Sequence, residues 1–348
     1  MPLPGRRKAG RRRAQLNREP GAADAGAAFL AALEGELGEL ARRDLRSPAL
    51  ALSERYRSAG AGEDAPRFSS TEMQAYLATR APATFAATRR VLAELASLRP
   101  GWAPESVLDL GAGPGTATWA AVDVFRSIGR AVLVERDREA AALGARLGEG
   151  GLTGLVPELF WILGDATSAA LAESDLVVAA YVLGEIGECR ELPALERWWG
   201  ATKGELVIVE PGTPAGFERL RAARSVLISW GAKVTAPCPH DGCCPMEGPD
   251  WCHFAVRLER SGLHRDLKAA RLGYEDEKYS YLSVSSSRPF APSPRLVRSP
   301  RPHKGHVRLV LCEPGGLFER VISRRDGALY RHARDLRWGD RFSSTDQI

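Results

Sequence analysis

No run of apolar residues in this 348-residue chain approaches the ~20 needed to cross a bilayer, so a membrane-spanning protein is not expected. A charged start leading into an apolar core and a small-residue cleavage site is also missing, and the expectation is a soluble, intracellular protein. Cysteine is scarce: six residues are too few for a disulfide scaffold. A dinucleotide-binding fingerprint is not completed either, because the third glycine of G-x-G-x-x-G would fall at position 116, which is Thr.

The cysteines that are present are concentrated. Four of the six lie between Thr235 and His253, in a loop that also holds Pro237, Pro239, Pro245 and Pro249. Cys312 stands alone in a strand-like run further on. Five residues separate Cys238 from Cys244 and seven separate Cys244 from Cys252, looser than the C-x2-4-C turns of structural zinc. Three thiolates on a loop plus one distant thiolate suit an iron–sulfur cluster; zinc held by three cysteines with His240 or His253 is the alternative, and metal-free buried thiols a third. Cys243, adjacent to Cys244, is the ambiguous member, and Cys189 is expected to be structural or incidental.

Charge is unevenly spread. Residues 1–20 carry seven Arg/Lys against one acid, and residues 288–348 carry thirteen against six, so the middle is acidic although the chain totals +5. Basic ends on an acidic middle point to a polyanionic partner, nucleic acid in particular.

The texture of the chain divides it into five parts. Residues 1–25 read as a disordered basic tail. Residues 26–100 read as helical, with interruptions near Pro48 and at Pro82. From Ser106, short apolar runs alternate with helical stretches, the pattern of a parallel sheet wrapped by helices, over 101–235. The cysteine loop and the last core strands occupy 236–287. A small basic β module is expected over 288–348, with strands at Arg295–Val297, His306–Cys312, Leu317–Ser323 and Ala328–Arg331. Thr167–Leu171 is expected to be helical or partly so.

Val107-Leu-Asp-Leu-Gly-Ala-Gly-Pro-Gly-Thr116 is a strand running into a glycine turn that opens a helix. Its order, hydrophobic-Asp-hydrophobic-G-x-G-x-G, resembles motif I of class I S-adenosylmethionine-dependent methyltransferases. That resemblance makes Asp109, Gly111, Gly113 and Gly115 candidate cofactor residues. It places Glu135, at the end of the second strand, on the ribose hydroxyls and Asp165 on the adenine amino group. The acceptor side is thin. The Asn/Asp-Pro-Pro-aromatic turn of exocyclic-nitrogen methylation is replaced by Tyr181-Val-Leu-Gly-Glu-Ile186, and Cys189 lacks the Pro-Cys setting of cytosine C5 methylation. Tyr181 and Glu185 are expected at the pocket mouth, with no catalytic constellation.

Taken together, Leu108-Asp-Leu-Gly-Ala-Gly-Pro-Gly115, Val209-Glu-Pro-Gly-Thr-Pro214, Ala236-Pro-Cys-Pro-His240, Cys244-Pro245, Asp250-Trp-Cys-His253, Lys304-Gly-His-Val307 and Cys312 resemble the methyltransferase-like assembly factors of the mitochondrial small ribosomal subunit and their bacterial relatives. The resemblance covers roughly residues 70–345. It implies a class I methyltransferase α/β fold, a 4Fe–4S cluster and binding to small-subunit ribosomal RNA. By motif, the cluster ligands become Cys238, Cys244, Cys252 and Cys312, leaving Cys243 out. On this reading Arg295, Arg298, Lys304, Arg324 and Arg325 contact phosphates. An active ribosomal RNA methyltransferase is the first alternative, and a zinc-stabilised small-molecule methyltransferase the second. The Ala-, Gly- and Arg-rich composition favours a bacterial cytoplasmic chain, or a mitochondrial one if the source is eukaryotic.

Overall fold

The computed structural model describes residues 24–38, 42–57, 68–149, 151–288 and 290–342. The tail expected to be disordered over 1–25 falls outside the described residues except for its last two positions.

Four helices lead in: α1 (Ala25–Leu37), α2 (Arg42–Arg57), α3 (Ser70–Thr79) and α4 (Ala81–Leu98). Asp24 caps α1, accepting from the N–H of Ala27, and Ser69 with Glu72 forms a reciprocal capping box at the start of α3. Pro82 sits in the first turn of α4, where its missing N–H has no helical partner to lose. The expected break at Pro82 is therefore a junction between two helices. At Pro48 no break occurs, and α2 runs through it. Val91, Leu92, Leu95 and Leu98 of α4 are buried, and Phe29 of α1 stacks on Phe85 at 4.7 Å and leans on Trp119 at 5.7 Å between ring centres. Each large apolar side chain removed from water contributes about 1.5–3 kcal/mol. The lead-in is thus built into the main core.

The core alternates strand and helix: β1 (Ser106–Leu110), α5 (Thr116–Val124), β2 (Arg130–Glu135), α6 (Arg138–Glu149), α7 (Leu152–Leu155), β3 (Glu158–Leu163), β4 (Ser174–Ala180), α8 (Glu188–Gly200), β5 (Thr202–Pro211), α9 (Pro214–Ser229) and β6 (Lys233–Ala236). After the cysteine loop come β7 (Phe254–Glu259), α10 (Gly262–Leu267) and β8 (Tyr274–Ser285). The sheet runs β3-β2-β1-β4-β5-β8-β6, with β7 paired to the outer part of β8. Strands β1 to β5 are mutually parallel, and β8 inserts antiparallel between β5 and β6. This is the class I methyltransferase sheet that the glycine motif led one to expect. Val107, Leu108 and Leu110 of β1 and Val177, Val178 and Ala179 of β4 are buried, as expected of parallel strands covered on both faces. Strand order reverses between β1 and β4, and in open α/β sheets the crevice at such a reversal is where ligands sit. Thr167–Leu171 is a correction: it forms a turn rather than a helix, held by Asp165 Oδ1, which accepts from Thr167 N (2.8 Å) and Thr167 Oγ1 (2.7 Å).

A second sheet comprises β9 (Arg295–Leu296), β10 (Arg301–His303), β11 (His306–Glu313) and β12 (Gly316–Ser323), in the order β10-β11-β12 with β9 paired to the far end of β11. The expected strand at Ala328–Arg331 is instead the start of helix α11 (Ala328–Asp335). Ala333 and Leu336 cover Val307, Leu309, Leu311 and Ile322, with Phe342 closing the cluster. The helical spacing of Leu329, Ala333 and Leu336 becomes visible only in a window extending past Arg331. This sheet meets the core through a separate apolar cluster of Phe217, Met246, Val297 and Cys312, with Cys244, Trp251 and Cys252 beside it.

Candidate functional site

The glycine turn follows β1, and all three of its glycines have left-handed backbones: Gly111 at φ +62°, Gly113 at +54° and Gly115 at +81°. A side chain there would be strained. Space separates their roles. A Cβ on Gly111 would lie 2.5 Å from Val182 Cγ2, and one on Gly115 3.1 Å from Leu133 Cδ2, whereas a Cβ on Gly113 would meet nothing within 4 Å. Gly111 and Gly115 let the turn close against the sheet; Gly113 faces open space, where a ligand can approach the backbone.

The three acids take different positions. Asp109 is buried, and its Oδ2 accepts from Thr118 N (2.9 Å) and Thr118 Oγ1 (2.8 Å). Burial pushes its pKa up to about 6 and its observed bonds tie β1 to α5. Glu135 is also buried: its Oε2 accepts from Gly113 N at 2.7 Å and its Oε1 from Asp137 N at 2.7 Å. Burial raises its pKa against the pull of those two N–H groups. Glu135 therefore anchors the glycine turn to the end of β2. Asp165 is more open. Burial pushes its pKa up, but hydrogen bonds from Thr167 and the nearby Arg190 guanidinium outweigh this and lower it. These residues fit S-adenosylmethionine: a half-buried glycine backbone with open space beside it, a buried carboxylate bonded to it and a more open carboxylate one strand further on. Bound there, the cofactor would supply an electrophilic methyl group.

On the acceptor side, Tyr181 is, among the described residues, one of two non-glycine positions with a left-handed backbone (φ +63°). Its hydroxyl donates to Glu277 Oε1 at 3.3 Å, and Arg80 of the helical lead-in pairs with the same oxygen at 3.3 Å. Burial drives the Tyr181 hydroxyl well above the usual range, with the Glu277 charge adding to it. Glu185 ends a single 3-10 turn after β4. Sequence reasoning missed Arg80 and Glu277, which are 197 positions apart and carry no motif.

Four thiols converge elsewhere. Cys238, Cys244 and Cys252 from the loop and Cys312 from β11 line one largely apolar cavity of ≈ 50 Å³, together with Arg221, Arg224 and Arg295. This exceeds the ~10–15 Å³ that a single water requires. Cys243 is exposed and absent from that lining; it borders an open groove with His240 and Phe318. Burial pushes Cys252 well above the usual thiol range and Cys312 up to about 12, each further raised by the neighbouring thiols; Cys244 is raised for the same reasons. Among the described residues, no three His, Cys, Asp or Glu side chains come together as a single-ion site. His240 Nε2 lies 3.6 Å from Cys312 Sγ. His253 is stacked on Trp251 at 5.0 Å and against Trp338 at 4.6 Å.

Two buried guanidiniums flank the thiols. Arg224 donates to His240 O at 2.7 Å, and its Nε is buried without a partner. Arg295, expected on the surface as a phosphate contact, is instead 4% exposed. It donates to Pro237 O (3.0 Å) and Gly339 O (2.7 Å) and pairs with Glu94. A guanidinium so committed does not reach RNA. Arg298 pairs with Asp250 and stacks over Trp338. Lys304, Arg324 and Arg325 are exposed, with Arg324 N bonded to Gly305 O at 2.9 Å, which brings the hairpin tip and the turn after β12 together.

Residues 70–343 match the family model described as mitochondrial small ribosomal subunit Rsm22. The chain belongs to the Rsm22 family. Among its Rsm22-related proteins, "Ribosome assembly protein METTL17, mitochondrial" of Homo sapiens is 29% identical over 284 residues, covering 76% of this chain and 61% of that protein. "Ribosome assembly protein RSM22, mitochondrial" of Saccharomyces cerevisiae is 23% identical over 247 residues, covering 41% and 39%. The chain thus spans less than two thirds of the length of either. A solved precorrin-6y C5,15-methyltransferase from Geobacter metallireducens is 15% identical, with a TM-score of 0.39, covering 57% of this chain and 87% of that one. No residue-level reading follows from a likeness of that size.

Proposed function

We propose that this Rsm22-family chain is a small-ribosomal-subunit assembly factor that binds ribosomal RNA, and that a 4Fe–4S cluster on Cys238, Cys244, Cys252 and Cys312 joins its basic C-terminal sheet to a methyltransferase scaffold. The assembly role follows the names of its relatives. The observation that carries the structural half is the shared cavity, with three thiols on the core-side loop and the fourth on β11. Thiols that share a cavity without forming a single-ion site favour a multi-centre group over zinc, whose sulfurs must all lie ~2.3 Å from one point. Buried Arg224 and Arg295 offset the negative charge that four thiolates bring. The division of the chain at about 100, 235 and 287 follows the same reading, with the core sheet completed by β8 before the basic module begins.

Anaerobically purified protein tests this. It should show broad visible absorbance with iron and sulfide in equal amounts, and should co-sediment with small ribosomal subunits. Colourless protein carrying zinc would overturn the cluster, and failure to sediment would overturn the assembly role. An active ribosomal RNA methyltransferase is the second reading, favoured by the open approach to Gly113 beside buried Glu135; methyl transfer to small-subunit RNA, abolished by Gly113→Arg, would establish it. As to compartment, the named relatives are mitochondrial, while the composition favours a bacterial cytoplasm. No described helix is long and apolar enough to cross a membrane.

A further inference from the structure

The exposed end of the small sheet has an unusual surface. In the register of β10, β11 and β12, Arg301 lies directly opposite Arg308, which lies opposite Val321; one step along, His303 lies opposite His306, which lies opposite Ser323. Side chains two apart on a strand share a face, so these six form two adjacent rows on one face. The two imidazoles are stacked, 4.7 Å between ring centres with planes 11° apart. Val321 is 55% exposed beside them. Lys304 occupies the hairpin tip, and Arg324 and Arg325 are brought alongside through the Arg324–Gly305 bond.

Like charges directly opposite on neighbouring strands oppose pairing, and here an Arg–Arg pair lies one row behind the His303–His306 pair at the hairpin tip. Glu319 offsets Arg308 at 3.0 Å. Among the described residues, no carboxylate pairs with Arg301, Lys304, Arg324 or Arg325. The face therefore holds cations around a planar, stacked pair, with His303 exposed and His306 half-buried, which costs the isolated sheet stability and suits an anion with flat rings. Duplex RNA buries its bases and would leave the imidazoles idle; unpaired bases can lie on them while neighbouring phosphates meet the cations.

We propose that His303 and His306 form a stacking platform for an unpaired base of single-stranded RNA, with Arg301, Lys304, Arg324 and Arg325 contacting the phosphates on either side. This rests on the RNA-binding reading above and names the part of the chain, and the state of the RNA, that it involves.

The test is fluorescence anisotropy at fixed pH and salt with three probes of about 12 nucleotides, within the usual span of single-strand sites: an RNA single strand, the same sequence as a duplex, and an abasic ribose-phosphate strand. The full-length double variant His303→Ala/His306→Ala should bind the single strand roughly 5- to 150-fold more weakly, with duplex and abasic binding unchanged. His303→Phe/His306→Phe should retain single-strand affinity, because stacking survives without imidazole nitrogens. Lys304→Ala/Arg324→Ala should weaken all three probes and flatten the salt dependence. Equal loss on all probes in the alanine variant, no loss on the single strand, or a phenylalanine variant as weak as the alanine one would each overturn the platform. If the unaltered protein binds none of the probes, both the platform and the RNA-binding reading fall; if it binds RNA and the alanine variant shows no base-dependent loss, the platform alone falls.

Discussion

The glycine turn and the cysteine cavity are both linked to a cofactor by the sequence, yet their polar groups are satisfied in opposite ways. At the glycine turn, Asp109 is matched by Thr118, and Glu135 by the backbone of Gly113 and Asp137. Every acid there has an internal donor. At the cavity, three thiols are driven upward in pKa by burial, and the Nε of Arg224 has no partner. A buried polar group without a partner costs about 1–3 kcal/mol. The acids of the first site are met by internal donors, although Thr116 Oγ1 beside them is buried without a partner; the second site is where the proposed cluster would bring new partners.

That contrast can be broken most forcefully at Cys312. Cys312→Ser should abolish bound iron altogether, measured by iron and sulfide content, and should loosen β11 and β12 while leaving the core sheet intact. Stoichiometric iron in the variant would return Cys312 to an ordinary core thiol. The next largest effect belongs to packing under the glycine turn. Trp119→Ala, which removes a fully buried indole tilted against Phe29, should cost about 3–5 kcal/mol in chemical denaturation, with or without added S-adenosylmethionine. A loss that the cofactor rescues would show that the turn depends on its ligand after all.

The glycines give a finer comparison. Gly111→Ala combines a left-handed backbone with a Cβ 2.5 Å from Val182 and should destabilise by about 2–4 kcal/mol. Gly113→Ala meets only the backbone term, about 1–2 kcal/mol, and should act mainly on cofactor affinity measured by calorimetry. Equal stability losses would contradict the division of roles.

The most gradual effect is a pH slope. The pKa of Asp109 is raised from 3.8 to about 6 by burial, so the folded state holds its proton more tightly than the unfolded chain. That stabilisation is fully present below about pH 4 and is lost as pH rises through about 6, an effect of order 1–3 kcal/mol. Asp109→Asn should flatten this part of the stability profile; an unchanged slope would assign it to other groups.

Much of the scaffold was legible because its signals are local. Strands β1 to β5 are short apolar runs between turns, and the glycine torsions announce themselves in the spacing of Gly111, Gly113 and Gly115. The sharing of one cavity by Cys312 and the loop cysteines was readable as a three-plus-one pattern. What escaped depends on tertiary partners. Arg295 has the composition of a surface cation, and nothing nearby in sequence reveals that Glu94, Pro237 and Gly339 surround it. The Arg80–Tyr181–Glu277 contacts join three distant segments. Ala328–Arg331 was too short a window to show helical spacing, and the edge strand β10 carries Pro302, which weakens any strand signal.

The most direct measurement is hydrogen exchange by mass spectrometry on iron-loaded protein and on the same protein stripped by an anaerobic chelator. Stripping should accelerate exchange in the cysteine loop, β11 and β12, with β1, β4 and the glycine turn unchanged. Equal protection in both samples, or loosening spread evenly over both sheets, would contradict a cavity that requires an occupant beside a glycine turn that does not.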